Sequence, residues 1–216
     1  MSSEVLELPM REMDAVAPSP AADVGAEFPE RVLLARLRRK EPAAFELLVK
    51  THKDRVFDFC VRMVGDREEA FDLTQEIFVS VHLHLDKFRE DAKLSTWIFR
   101  IAKNHCLNRL KYLGRRGHHK TDELSDVSEQ ELSFHQPHPN PQEALLGKEQ
   151  STRVQRAIAQ LGEEQRVLVI LRDIEGLSYE EIVQITEQPE GTVKSRLHRA
   201  RAALAVILGQ MKEERS

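Results

Sequence analysis

The chain lacks the parts from which several kinds of protein are built. Two cysteines in 216 residues exclude a disulfide framework and a four-cysteine zinc site. Cys60 and Cys106 both fall among apolar neighbours in helical patterns, where small buried residues are expected. No apolar run reaches the roughly 18 residues of a membrane span, so a soluble chain without membrane insertion is expected. Met1 to Glu30 carry acids at 4, 7, 12, 14, 23, 27 and 30 against Arg11, with no apolar core. This is not a secretory signal, and a cytoplasmic location follows as an expectation. Neither a glycine-rich phosphate loop nor a nucleophile–base pair is present. His82 and His84 are two positions apart on a helical stretch and point about 200° from each other, so they cannot share a metal. His118, His119, His135 and His138 fall in or near a proline- and acid-containing connector and offer at most a weak surface site. No catalytic residue, cofactor or metal site is expected.

What the chain does have is a helix–break–helix unit near its C-terminus, LSYEEIVQITEQPEGTVKSRLHRAR over Leu177 to Arg201. Ser178 and Glu181 form a capping box that starts the first helix, and Ile182 with Ile185 marks its buried side. Glu187 to Glu190 break the pattern around Pro189. From Gly191, apolar Val193, Leu197, Ala200 and Leu204 recur on one face. The other side shows Lys194, Ser195, His198 and Arg199, groups able to contact base edges or phosphates in a major groove. The segment predicts a helix-turn-helix.

The net charge of −4 hides a strong segregation. Lys93 to Lys120 holds eight basic residues and no acid, Asp122 to Glu149 holds seven acids against Lys148, and Gly191 to Lys212 is again basic without an acid. Two basic surfaces with an acidic strap between them suit one polyanion gripped at two places.

Periodicity divides the rest. Residues 1–29 form an acidic leader without helical pattern. A short helix over Glu30 to Arg39 should turn Val32, Leu33 and Leu37 inward. Pro42 opens a helix to about Val64, buried through Phe45, Leu48, Val49, Val56, Phe57 and Cys60, and ended by Gly65. Asp66 and Glu69 form a second capping box for a helix from Arg67 to about Leu85, whose core stripe is Ala70, Thr74, Ile77, Phe78, Val81 and Leu85. Its other side is mixed. Asp72, Gln75, Glu76, Val79 and Leu83 gather there, the pattern of a helix that docks on another protein. After the loop Phe88 to Lys93, Leu94, Ile98, Ile101 and Ala102 set the buried side of a further helix. Trp97, Phe99, Arg100, Lys103, Asn104, His105, Lys111 and Tyr112 interleave rings, amides and cations as single-strand binders do, although a ring such as Trp97 equally suits a core. A connector over 114–143, containing HQPHPNPQ, leads to helices at about 144–160 and 163–174 and then to the helix-turn-helix. The fold class expected is all-α, with two small helical domains at 30–113 and 144–211 joined by a flexible acidic linker.

These segments together resemble the sigma-70 superfamily, and within it the small extracytoplasmic-function sigma factors. DLTQEIFVSVHLHLDKF at Asp72 to Phe88 resembles the core-polymerase-binding region. LSTWIFRIAKNHCLNRL at Leu94 to Leu110 resembles the region that melts promoters and reads the −10 element, and EEIVQITEQPEGTVKSRLHRARAAL at Glu180 to Leu204 the −35-reading helix-turn-helix. The resemblance implies a factor that binds the clamp and flap of core RNA polymerase, directs it to promoter DNA, and is held in check by an anti-sigma factor. It implies polymerase contacts at Asp72, Gln75, Glu76, Val79 and Leu83. It places −10 contacts at Trp97, Arg100, Lys103 and Asn104, with the loop Glu90 to Ser95 shaping a base pocket. It puts −35 contacts at Thr192, Lys194, Ser195, Arg196, His198, Arg199 and Arg201. Apolar Val167, Leu168 and Leu171 serve either the second domain's core or the flap. The rival reading is a stand-alone helix-turn-helix regulator with a sensor or dimerisation domain in front.

Overall fold

A computed structural model describes residues 30–117 and 151–213; the acidic leader, the acidic connector with its histidines and the start of the helix expected at 144–160 lie outside them. Every regular element among the described residues is helical. The order is α1 (Glu30–Arg38), α2 (Pro42–Val64), α3 (Arg67–His84), α4 (Leu94–Gly117), α5 (151–159), α6 (Glu163–Val169), α7 (Tyr179–Thr186) and α8 (Glu190–Glu213). Helix α4 passes Gly114, where the first domain was expected to end, and continues to Gly117.

Local chemistry accounts for most of the boundaries. Pro42 lacks the N–H that a helix start cannot use, and it opens α2. Gly65 closes the helix at φ 81°, with its N–H donating to Val61 O at 2.9 Å, a left-handed position that a residue without Cβ adopts without strain. One residue later the Asp66 side chain accepts from Glu69 N at 2.8 Å to start α3. Only half of the expected capping box forms, because the Glu69 carboxylate pairs instead with Arg109 on α4.

The first bundle packs α2, α3 and α4 around one another, with α1 lying on α2. Its centre is Leu48, Phe59, Met63, Leu73, Ile77, Leu94, Ile98 and Phe99, all almost inaccessible to water. Phe59 and Phe99 meet edge to face with centroids 5.6 Å apart, the arrangement that aromatic quadrupoles favour. Cys60 and Cys106 are buried free thiols whose sulfurs lie 3.7 Å apart across α2 and α4. On α1 the expected phase is wrong in part: Leu34 and Leu37 are buried, Leu33 packs at the edge, and Val32 is 41% exposed. On α3 the missed core residue is Leu73, while Thr74 is half-buried and returns its hydroxyl to Ala70 O at 2.7 Å.

The second bundle is built by α6 and α8 with α7 across them. Helix α6 runs on into a π-type turn at Ile170–Ile174. Val167, Leu168, Val169, Ile170 and Leu171 are all buried, which assigns Val167, Leu168 and Leu171 to the core.

Part-buried His52 on α2 carries a pH signature, since burial, helped by Arg55, lowers its pKa to about 4 from 6.5. The folded chain keeps His52 neutral down to about pH 4, whereas the unfolded chain protonates it near 6.5. The stability tied to the neutral ring is therefore complete above about pH 6.5 and is lost as pH falls toward 4. Unfolding by urea from pH 7 to 4 should show a shallower decline in stability for His52→Gln than for the wild type; parallel curves would remove His52 as the cause.

Candidate functional site

Helix α3 presents the first surface. Its inward stripe fixes the opposite side, and Asp72, Gln75, Glu76, Val79 and Leu83 do come together there, lining one shallow groove with Ser80, His84 and His105. Val79 is 59% and Leu83 68% exposed. Phe71, which sequence reasoning missed, is 59% exposed too, but eight residues of helix turn it about 80° away from Val79, and the groove is lined without it. Full burial of a Val or Leu side chain is worth about 1.5–3 kcal/mol. Val79 and Leu83, two large apolar groups bare on one helix face beside carboxylates, therefore favour a covering partner. The groove floor is rigid because Arg109 of α4 holds Glu69 and, at 2.8 Å, Glu76 of α3.

Helix α4 and the loop before it form the second surface. The loop is held from a distance: the Glu30 carboxylate accepts from Leu94 N–H at 2.8 Å, capping the start of α4, and Arg38 pairs with Glu90. Glu90 itself sits at φ 59°. Sequence reasoning gave Glu30 a charge and the start of the first helix but no role on α4, because a cap supplied from 64 residues upstream leaves no local pattern. Asn104 is exposed, while Arg100 and Lys103 are half-covered. Trp97 is only 7% exposed, with its ring 5.4 Å from that of Phe88. Its ring belongs to the core and supports the loop from beneath rather than standing ready for a base.

The basic side of α4 is in contact with α7. Lys103 Nζ donates to Ile185 O at 3.0 Å, Lys93 lies 3.0 Å from Glu181, and Arg100 lies 3.8 Å from Glu187. Burial lowers the Lys103 pKa, against the pull of Glu187.

The third surface is the helix-turn-helix. Ser178 and Glu181 make the reciprocal capping box, at 3.2 Å and 2.8 Å. Glu187 ends α7 in the left-handed conformation at φ 58°, and α8 starts at Glu190, so the break is one residue shorter than expected. Val193, Leu197, Ala200 and Leu204 are buried, which leaves Lys194, Ser195, His198 and Arg199 exposed on the far side. Thr192 is half-buried, and its carbonyl accepts from the Ser195 hydroxyl at 3.1 Å. Lys194 sits 2.6 Å from Glu190. The remaining two arginines turn inward: Arg196 pairs with Glu164 at the start of α6, and Arg201 with Asp173.

Known proteins share this arrangement. Residues 48–116 match Sigma-70 region 2, and residues 151–204 match Sigma-70, region 4. The RNA polymerase sigma-H factor of Pseudomonas aeruginosa is 36% identical over 191 residues, covering 86% of this chain and 96% of the relative. The chain belongs to the sigma-70 family, as an extracytoplasmic-function sigma factor. The ECF sigma-E factor of Escherichia coli is 35% identical over 184 residues, covering 82% of this chain and 93% of that one. Among solved structures, the sigma factor RpoE of Bartonella quintana, in complex with the anti-sigma factor NepR, superposes with a TM-score of 0.60 at 23% identity, covering 76% of this chain and 96% of that one. As a sigma factor the protein binds core RNA polymerase and directs promoter-specific initiation through −10 and −35 elements; the stand-alone regulator reading is not favoured. Among the described residues no helix is long and apolar enough to cross a membrane.

The capping box has a measurable weight in this sigma factor. Ser178→Ala removes the acceptor for Glu181 N–H and should cost about 1 kcal/mol in the second bundle, read as a lower thermal midpoint. Ser178→Asp, which keeps an acceptor, should restore it, and equal loss in both variants would refute the assignment.

Proposed function

We propose that the groove on α3 is the docking surface for the clamp of core polymerase, with Asp72, Gln75 and Glu76 orienting the contact and Val79 and Leu83 supplying its buried area. The exposure of these two apolar side chains in one groove, on a helix otherwise well packed, carries the reading. Asn104, with the loop Glu90 to Ser95, holds an unpaired −10 base. Lys93, Arg100 and Lys103 track the strand's phosphates, and Trp97 acts from beneath by setting the loop's shape. On α8, Lys194, Ser195, His198 and Arg199 face the −35 duplex, and Thr192 meets it at the helix start. Arg196 and Arg201 hold the helix at its angle through Glu164 and Asp173. The domains are taken as 30–113 and 144–211, joined by the acidic connector, which a DNA backbone repels. An anti-sigma factor would silence the protein by covering the α3 groove.

Reconstitution with core polymerase separates these roles. Val79→Asp with Leu83→Asp should weaken polymerase binding roughly a hundredfold, since two anchors near the centre of an interface are lost, while leaving the thermal midpoint unchanged. Asn104→Ala should retain polymerase affinity and lose promoter opening, read by permanganate reactivity of unpaired thymines. A chain that never supports specific initiation, but alone footprints a palindromic duplex, would overturn the reading.

A further inference from the structure

Helix α4 begins without a cap of its own. Helices α3 and α7 open on Asp66 and Ser178, whose side chains accept an N–H from their own first turn. At α4 the corresponding residue is Lys93, whose carbonyl takes the Trp97 N–H at 3.1 Å and whose ammonium has no acceptor to offer a helix start. The missing acceptor comes from α1. Glu30 takes the Leu94 N–H at 2.8 Å, and Leu94 is only 2% exposed, so water is not at hand to replace the carboxylate.

A second tie reaches the same loop from the other end of α1. Arg38 Nη2 lies 2.5 Å from Glu90, which stands at φ 59°, a conformation that a residue with a Cβ keeps only where its surroundings hold it. The two ties leave α1 eight residues apart, about 12 Å along its axis. They meet the loop in reverse order, four residues apart, so α1 runs antiparallel to the segment it holds. Burial does not fix the course of that segment, because Arg89, Glu90 and Asp91 are exposed. The ties to α1 do. Helix α1 is itself a firm support, with Leu34 and Leu37 in the core and its last turn secured by Arg36 Nε on Glu41 at 2.7 Å. It also packs on the turn Leu85–Lys87 that leads into the loop.

We propose that Glu30 and Arg38 are positioning residues for −10 recognition: α1 sets the course of the loop Glu90 to Ser95 and so decides which unpaired base fits beside Asn104. The inference rests on that loop and Asn104 forming the base pocket. An exposed ion pair adds little to folding stability, so loss of the Arg38 tie leaves the bundle folded while freeing Glu90 to relax out of the left-handed region. What is lost is the fit of one base. The grip on the strand as a whole stays with the cations of α4.

The test uses holoenzyme reconstituted from the full chain and a promoter library randomised across the −10 element, with transcripts counted for each base at each position. Asn104→Ala marks the pocket, as the position whose base preference it flattens. Arg38→Glu should flatten the preference at that same position roughly fivefold, the ceiling that an exposed pair sets, with polymerase affinity, −35 preference and thermal midpoint unchanged. Arg38→Lys, which keeps a cation for Glu90, should return the preference. Glu30→Leu, which removes the acceptor, should flatten it further and lower the thermal midpoint, whereas Glu30→Gln, which still presents an oxygen to Leu94 N–H, should behave as the wild type. A loss in Arg38→Glu spread evenly over all bases would make Arg38 a phosphate contact and overturn the proposal, as would equal losses in Glu30→Gln and Glu30→Leu. An unaltered preference in Arg38→Glu beside a flattened one in Asn104→Ala would sink the proposal and leave the pocket standing. If Asn104→Ala flattens no position, the pocket reading fails and takes the proposal with it.

Discussion

Everything the first domain does depends on how α3 crosses α4. Each helix spends one face on the shared core, through Leu73 and Ile77 on one side and Ile98 and Phe99 on the other, and leaves another face free of it. Arg109 locks that crossing from outside by bonding Glu69 and Glu76 at once. In the function proposed above, a protein surface and a nucleic-acid surface then sit a helix width apart in one bundle, and docking of the first fixes where the second must sit.

The sequence reveals this arrangement wherever a single helix is long enough for its period to sort residues. Over the 18 residues of α3, the 3.6-residue repeat separates Ile77 and Val81 from Asp72, Val79 and Leu83 without ambiguity. The nine residues of α1 hold four apolar side chains in two turns, so Val32 and Leu34 exchange places at little cost to the pattern. Trp97 shows another limit: a ring among cations has the same local signature whether it faces a base or supports a loop, and only its contact with Phe88 decides. Pairings across domains leave no local trace at all. Arg55 and Glu175 are 120 positions apart, and each alone is an ordinary charge on a helix.

The charge blocks gain a second meaning from the structure. An acid-free α4 suits a polyanion, yet it also suits a helix that offers carbonyl and carboxylate oxygens, as α7 does through Ile185 O, Glu181 and Glu187. Exposed ion pairs contribute about 0–1 kcal/mol each, so Lys93 with Glu181 and Arg100 with Glu187 do little to hold the two domains together. The weight falls on Glu175. Burial raises its pKa against the pull of Arg55, and a carboxylate in that position is costly without its cation.

The hydrogen bond from Leu94 N–H to Glu30 ties the integrity of α4 to a residue far from it in sequence. A protease that nicked the backbone just after Glu30 would spare every core side chain and still rob α4 of its first acceptor. The first turn of α4 is thus completed by one carboxylate, 64 positions ahead of the helix it caps.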